Sequence, residues 1–485
     1  MKIRIFAMLA VLLLCSACGT ADDKPLETVG IPSTETAESE AAPDYLDTLP
    51  VYDLSAGSIR IAANSQDDRP NLHTGVENGE VINDAMVTRD LIIGERYQTD
   101  IVYTAFDTRD ALSYELNKVV RAGDDVYDFV IGPPCHCIGN LAQEGLFVDL
   151  MTLDALATDN EWWNSSMNST MMHDGKQFAA AGPIALCYLY SPYAFFVNLS
   201  MTAKYDLPNP YELVTGGTWT IGMMNEMMKK AAVDLNNDGR MDDTDQFGMT
   251  TTKEAGKAFF LGCGGDMARK TESGAELLMT TSFSIDILDH LHEMLTDPSV
   301  YCTDTNIEKG TDTNYKISFF LQSKTLFAAV PLQWAVLNFR NMEDDYAILP
   351  YPKYSENQEA YYTHMNSFFP YAVAVPVTNS RLQETGAVME ALAYQSYTTV
   401  LPKINEIVLK EKVARDESSK QMLDILFTNV KMDLNSVFDF GGSASLLREY
   451  VVGTTDNFVS SYQKLEKKIN RAVEDMIEAF SNIES

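Results

Sequence analysis

The chain has 485 residues, with 36 Lys and Arg against 69 Asp and Glu, giving a formal net charge of −33. A hydrophobic fraction of 46%, with 23 Tyr and 22 Phe, supplies enough apolar surface for a packed core and excludes an intrinsically disordered chain. The acidity argues against a nucleic-acid partner, because phosphate binding needs clustered Lys and Arg, and the length allows two or three folded units.

At the start of the chain, Lys2 and Arg4 flank an apolar run over residues 5–14. That run is too short to span a bilayer and has the shape of a secretory signal. It ends in Leu14-Cys15-Ser16-Ala17-Cys18-Gly19, which resembles the lipobox of bacterial lipoproteins, with Cys15 standing where Leu is commonest. The resemblance implies cleavage after residue 17, acylation of Cys18, and lipid anchoring on the extracellular face of a bacterial cell membrane. A plain cleaved signal is the alternative. No other segment reaches about 18 uninterrupted apolar residues, so lipid would be the sole anchor. Residues 18–57 are rich in Thr, Glu, Ala, Ser, Asp and Pro and read as a solvated tether.

Folded sequence begins with a short strand at 59–63. Ile82, Met86, Ile93 and Tyr97 then recur on one helical face. A second strand follows at 101–103, a second helix marked by Leu112, Leu116, Val119 and Val120, and a third strand at 127–132. This alternation predicts a parallel sheet covered on both faces. Ligands in such sheets sit beyond the carboxyl ends of the strands, where Pro133-Pro134-Cys135-His136-Cys137 lies. Residues 173–176 predict a tight hairpin turn. A second mixed region runs from about 200 to 345. The C-terminal third reads as mostly helical, ending in Leu465, Ile469, Ala472, Val473, Met476 and Phe480 at helical spacing.

Two kinds of residue carry chemistry. Asp234, Asn236, Asp238, Arg240 (through its carbonyl), Asp242 and Asp245 surround Gly239 with the spacing of a calcium loop, with Asp at the last position where an EF-hand has Glu. A structural Ca2+ site is therefore expected, and an acidic turn without metal is the alternative. The aromatics Trp162, Trp163, Trp219, Trp334, Phe259, Phe260, Phe368, Phe369 and Tyr371 are candidate sugar-stacking platforms, each also a candidate for the core. Nucleotide-loop, zinc-protease and nucleophile-elbow motifs are all missing, and no catalytic residue is expected. Cys135-His136-Cys137 and His290-Leu291-His292 are weak as metal sites. Cys135, Cys137, Cys187, Cys263 and Cys302 form no recognisable disulfide framework, although a single bridge is open.

Several stretches in a fixed order resemble the extracellular solute-binding proteins of ABC importers, in the sugar-binding family that includes maltose-binding protein and its Gram-positive lipoprotein members. They are 79–85 with 95–97, Tyr127-Asp128-Phe129-Val130 with 141–150, Phe195-Phe196-Val197-Asn198, Gly217-Thr218-Trp219-Thr220, 319–324 with Gln333-Trp334, 342–353, and Ala414-Arg415-Asp416-Glu417. The resemblance covers about residues 58–480. It implies an α/β, two-lobed periplasmic-binding-protein-like fold with crossover strands and a helical C-terminal region. The first lobe would hold 58–190 plus about 350–420, the second lobe 191–349 with the calcium loop, and 421–485 would pack on the lobes. The implied activity is capture of a carbohydrate by a monomeric, non-enzymatic receptor and its delivery to an ABC permease. Asp84, His136, Tyr190, Phe260 and Trp334 are the expected ligand-binding residues. An extracellular polysaccharide-acting enzyme and a calcium-dependent interaction or sensor lipoprotein are the competing readings.

Overall fold

The computed structural model describes residues 44–65, 72–271, 274–306, 317–339, 342–404 and 417–481. Cys18, the signal-like segment and Ala414-Arg415-Asp416 lie outside them. Within them, after a one-turn helix at Tyr45–Thr48, the chain runs through β1 (Ser58–Asn64), α1 (Val81–Tyr97), β2 (Asp100–Phe106), α2 (Arg109–Ala122), β3 (Phe129–Gly132) and β4 (Ala180–Ala181). It continues through β5 (Tyr193–Asn198), α3 (Ile221–Ala231), β6 (Phe247–Thr251), α4 (Ala255–Gly262), α5 (Ser282–Leu295), β7 (Val300–Cys302), β8 (Thr325–Pro331) and β9 (Tyr346–Leu349). It ends with β10 (Ala372–Ala374), α6 (Leu382–Gln395), α7 (Glu417–Thr428), α8 (Ser443–Val451) and α9 (Phe458–Ser481).

The strands form two five-stranded sheets. The first has the order β2-β1-β3-β10-β4, with β1 parallel to both β2 and β3 and with β10 and β4 antiparallel additions. Every residue of β3 is buried, as a central strand covered on both faces requires, whereas β2 at the edge is half exposed. Helix α1 starts where the Glu80 side chain accepts from the amides of Ile82 and Asn83, and α2 where Thr108 Oγ1 accepts from Ala111. Their apolar stripes, Met86, Ile93 and Tyr97 on α1 and Leu112, Leu116, Val119 and Val120 on α2, are buried. The predicted turn at 173–176 is a two-residue hairpin loop, with Asp174 and Gly175 both at positive φ between paired Met172–His173 and Lys176–Gln177.

The second sheet is mixed, with the order β7-β6-β8-β5-β9, parallel from β7 to β8 and antiparallel where β5 meets β8 and β9. Its core is aromatic. Phe195 packs edge-on to Trp219, Phe259 and Tyr351, and the Trp219 indole donates to the Pro350 carbonyl at 2.9 Å.

The chain crosses between the sheets side by side. The Asn366 amide donates to the Ser191 carbonyl at 2.9 Å, Pro192 bridges Met365, and Thr363–His364 pairs with Val430–Lys431. These three neighbouring segments make a natural place for a hinge. Helix α6 packs on α1 of the first lobe, α7 on β9 of the second, and α8 on α4 and α5, while α9 touches both lobes. The boundary expected near residue 420 thus falls inside α7. The tether expectation is corrected at its end: Leu46, Leu49 and Leu54 are buried, and the Tyr45 hydroxyl donates to Glu390 at 3.0 Å. The polar composition of 18–57 as a whole hid this apolar tail. All five described cysteines are buried, and no disulfide joins any two of them.

Candidate functional site

A cavity of about 470 Å³ opens at the carboxyl ends of the parallel strands and collects residues from both lobes. The first lobe contributes Asn64 from the end of β1, Thr108, Arg109 and Asp110 from the start of α2, and His136 from the loop after β3. The crossing between β9 and β10 contributes Asn366, Phe368 and Phe369, the second lobe Glu254, and α8 Arg448. The local chain geometry serves this convergence. Asn64 Nδ2 donates to the Phe106 carbonyl at 2.8 Å and ties the ends of β1 and β2 together. His136 holds a positive φ of 58° in the Pro133–Pro134 loop, and the neighbouring Cys135 amide is pinned to the Ser367 carbonyl at 3.0 Å.

Phe368 is the centre of the arrangement. The guanidinium carbons of Arg109 and Arg448 lie 5.1 and 5.5 Å from its ring centroid, the Lys257 ammonium 4.7 Å, and the His136 ring 5.7 Å. Arg448 is ion-paired with Glu254 and donates to Ser445 Oγ at 2.6 Å. Lys257, with a side chain only 3% exposed, reaches the same carboxylate at 3.5 Å. Desolvation pushes the Lys257 and Arg448 pKa values below their ordinary ranges. Burial likewise lowers His136, opposed by Asp439 and reinforced by Arg109, Arg448 and Lys257. Its Nε2 stands 3.9 Å from Asp439 Oδ2. The site therefore presents an aromatic platform rimmed by amide, guanidinium, imidazole and carboxylate groups, which suits a hydroxyl-rich ring.

Of the five expected ligand residues, His136 lines this cavity and the other four do not. Asp84 holds the loop before α1, with its carboxylate accepting from the amides of Asn78 at 2.8 Å and Gly79 at 3.0 Å. Phe260 is fully buried within α4. Tyr190 and Trp334 both belong to an apolar seam that also holds Ile82, Ala85 and Met86 of α1, where the two lobes meet. Trp162 and Trp163, also flagged as platforms, donate their indole N–H groups to the buried Glu390 at 3.1 and 2.9 Å. Arg109, Asn366, Glu254, Lys257 and Arg448 were missed. The start of α2 after β2 was findable from the rule that ligands gather at strand ends. Arg448 had no such signal, because only tertiary packing brings α8 to the cavity.

The acidic loop at 234–245 is closed by hydrogen bonds from its own backbone amides to its side chains. Asp234 Oδ2 accepts from the Gly239 amide, Asn236 Oδ1 from Asp238, and Asp238 Oδ1 from Arg240, with Asn237 and Gly239 at positive φ. Its hard oxygen donors are of the type calcium takes, and Asp234 Oδ1 is buried without a hydrogen-bond partner. Asp245, however, spends both oxygens on the amides of Leu235 and Asp242, at 2.8 and 2.9 Å, rather than turning them into the loop's centre. Among the described residues no three His, Cys, Asp or Glu side chains are grouped to hold a metal ion. His290 and His292 turn their Nδ1 atoms to the carbonyls of Asp286 and Tyr450, consistent with packing roles.

Compared by sequence, the chain matches no family model and no curated protein. Compared by structure, it superposes on an ABC substrate-binding protein from Listeria monocytogenes in complex with cycloalternan, at TM-score 0.55 and 13% identity, over 88% of this chain and 99% of that one. The GacH receptor of Streptomyces glaucescens, solved unliganded and with acarbose, gives TM-score 0.53 at 10% identity over 88% and 99% of the two chains. UgpB from Mycobacterium tuberculosis in complex with glycerophosphocholine gives 0.56 at 15% identity over 86% and 99%. The fold is thus the two-lobed α/β fold of the solute-binding proteins of ABC transporters. Among the described residues, no helix is long and apolar enough to cross a membrane.

Proposed function

We propose that this protein is an extracellular solute-binding receptor that captures a carbohydrate between its lobes and delivers it to an ABC permease. The observation that carries the reading is the Phe368 platform, set in a cavity built from both lobes and the crossing segment 366–369, at the strand ends where this fold takes ligands. Solved proteins of the same fold are complexed with cycloalternan and acarbose, which supports a saccharide here. The receptor acts without catalysis: ligand binding favours the closed lobes, and the permease reads that state. It works as a monomer, held at the outer face of the membrane by lipid on Cys18, as the lipobox-like sequence supports. A Ca2+ ion braces the 234–245 loop through hard oxygen donors that include Asp234 Oδ1.

The test is a thermal-shift screen of residues 25–485 against mono- and oligosaccharides, with and without calcium. A saccharide that raises Tm and is recovered intact supports a receptor, whereas a cleaved product identifies an enzyme and silence across the panel removes the carbohydrate. A Tm rise with calcium that is lost in Asp234→Ala supports the metal, and an equal response in both proteins removes it. Mass spectrometry of the membrane-extracted protein decides the anchor: a diacylated N-terminal peptide beginning at Cys18 supports it, and an unmodified one removes it.

A further inference from the structure

The whole chain carries 36 basic against 69 acidic residues, yet the balance reverses around one ring. Arg109, Lys257 and Arg448 all lie within 5.5 Å of the Phe368 centroid. Among the described residues, Glu254 is the single carboxylate ion-paired with Lys257 or Arg448, and it serves both. Arg448 Nε is buried with no hydrogen-bond partner. Among the described residues the carboxylate ion-paired with Arg109 is Asp110, at 3.5 Å, which is 86% exposed and so screened by water. Asp439, 3.9 Å from His136 Nε2, forms no ion pair with these cations among the described residues and accepts from the Ser445 amide at 3.0 Å and its hydroxyl at 2.6 Å.

We propose that the saccharide taken by this cavity is acidic, carrying a carboxylate, sulfate or phosphate group that Arg109 and Arg448 hold beside the Phe368 ring. The proposal rests on the carbohydrate reading above and narrows its substrate class. Two buried cations sharing one carboxylate are left with uncompensated charge in a desolvated place, and an anionic substituent supplies what is missing. The start of α2, at Thr108 and Arg109, adds the positive end of a 14-residue helix on the same side. Desolvation lowers the pKa of Lys257 and of Arg448, and a bound anion would reverse that effect.

The experiment is isothermal titration of the protein with matched saccharides: a neutral di- or trisaccharide and its C6-carboxylate, sulfate and phosphate counterparts, with glycerol phosphate as an anion lacking a sugar. The acidic member should bind about 10-fold tighter or more than its neutral twin. That advantage should shrink as salt rises, and should fall below about 3-fold in Arg109→Gln while Trp334→Ala, outside the cavity, retains it. The ranking of the three acid groups identifies the substituent. Equal or tighter binding of the neutral sugar overturns the acidic assignment and leaves the carbohydrate reading standing, as does an advantage that survives in Arg109→Gln. Binding of glycerol phosphate with no response to any saccharide overturns the carbohydrate reading itself. Arg109 is partly exposed at the rim, so its variant is expected to fold, and an unchanged Tm checks this.

Discussion

Two clusters of buried charge in this molecule are made of the same residue types and do opposite things. Behind the first sheet, Asp128 has a side chain of 0% exposure and is saturated. It accepts from the Arg60 amide at 2.6 Å, from the Arg60 guanidinium at 2.9 and 3.1 Å, and from the Arg381 guanidinium at 2.7 and 2.8 Å. Around Phe368, three cations share an aromatic face, and two of them, Lys257 and Arg448, share one carboxylate, Glu254. The first cluster is closed, because every lone pair has a donor and nothing remains for a ligand. The second is open, because its donors outnumber its acceptors. Saturation, not residue type, separates a structural ion cluster from a binding site.

The largest effect expected from breaking this contrast is in the closed cluster. Asp128→Ala leaves two guanidinium groups without their shared partner and should cost about 3–5 kcal/mol of stability, read from urea unfolding. The two arginines hold the Asp128 carboxyl below its ordinary value against the opposing effect of burial. Its stabilisation is therefore fully present above the unfolded value of about 3.9 and is lost as pH falls toward the lowered folded value. The variant should lose that acid-side slope. If its stability matches the wild type at neutral pH, the cluster is not closed in the sense argued.

A smaller loss is expected at Glu390, another saturated carboxylate, which accepts from Tyr45, Asn160, Trp162, Trp163 and the Ala157 amide. Trp163→Phe removes one donor and should cost about 1.5–3 kcal/mol, again by urea unfolding, with ligand affinity unchanged. Asp433 gives the reverse pH dependence. Burial raises it to about 6 despite amide donors from Met267, Ala268 and Asn435. Its folded pKa lies above the unfolded one, so its contribution to stability declines as pH rises from about 4 to 6 and is constant above. Asp433→Asn should flatten that interval in a series of thermal melts. In the open cluster the effect is on binding: losing the ring in Phe368→Ala should weaken saccharide affinity by at least about 5-fold, roughly 1 kcal/mol of stacking, with little change in unfolding.

The first lobe's opening was legible in the chain because helical and strand periods are written in residues such as Met86, Ile93, Leu112 and Leu116, and those patterns survive folding. The hairpin at Asp174-Gly175 was legible for the same local reason. The cavity was legible only where strand ends fix it, at His136. Asp84 was misplaced because a carboxylate early in a helix can face a ligand or, as here, hold the preceding loop, and sequence does not separate the two. Trp334 and Tyr190, expected at the ligand, lie in the apolar seam between lobes, because an aromatic near a crossing serves packing as readily as stacking. Arg448, more than 300 residues from Arg109 along the chain, owes its place to the packing of α8 on α4, which no local pattern announces.

The central claim is that the ligand is held at Phe368 between the lobes. Its most direct test is titration of the saccharide found by screening into wild type, Phe368→Ala and Trp334→Ala. Affinity that drops at least about 5-fold in Phe368→Ala and holds in Trp334→Ala is the predicted result. Affinity that holds in Phe368→Ala and collapses in Trp334→Ala would contradict it and move the site to the seam around Tyr190.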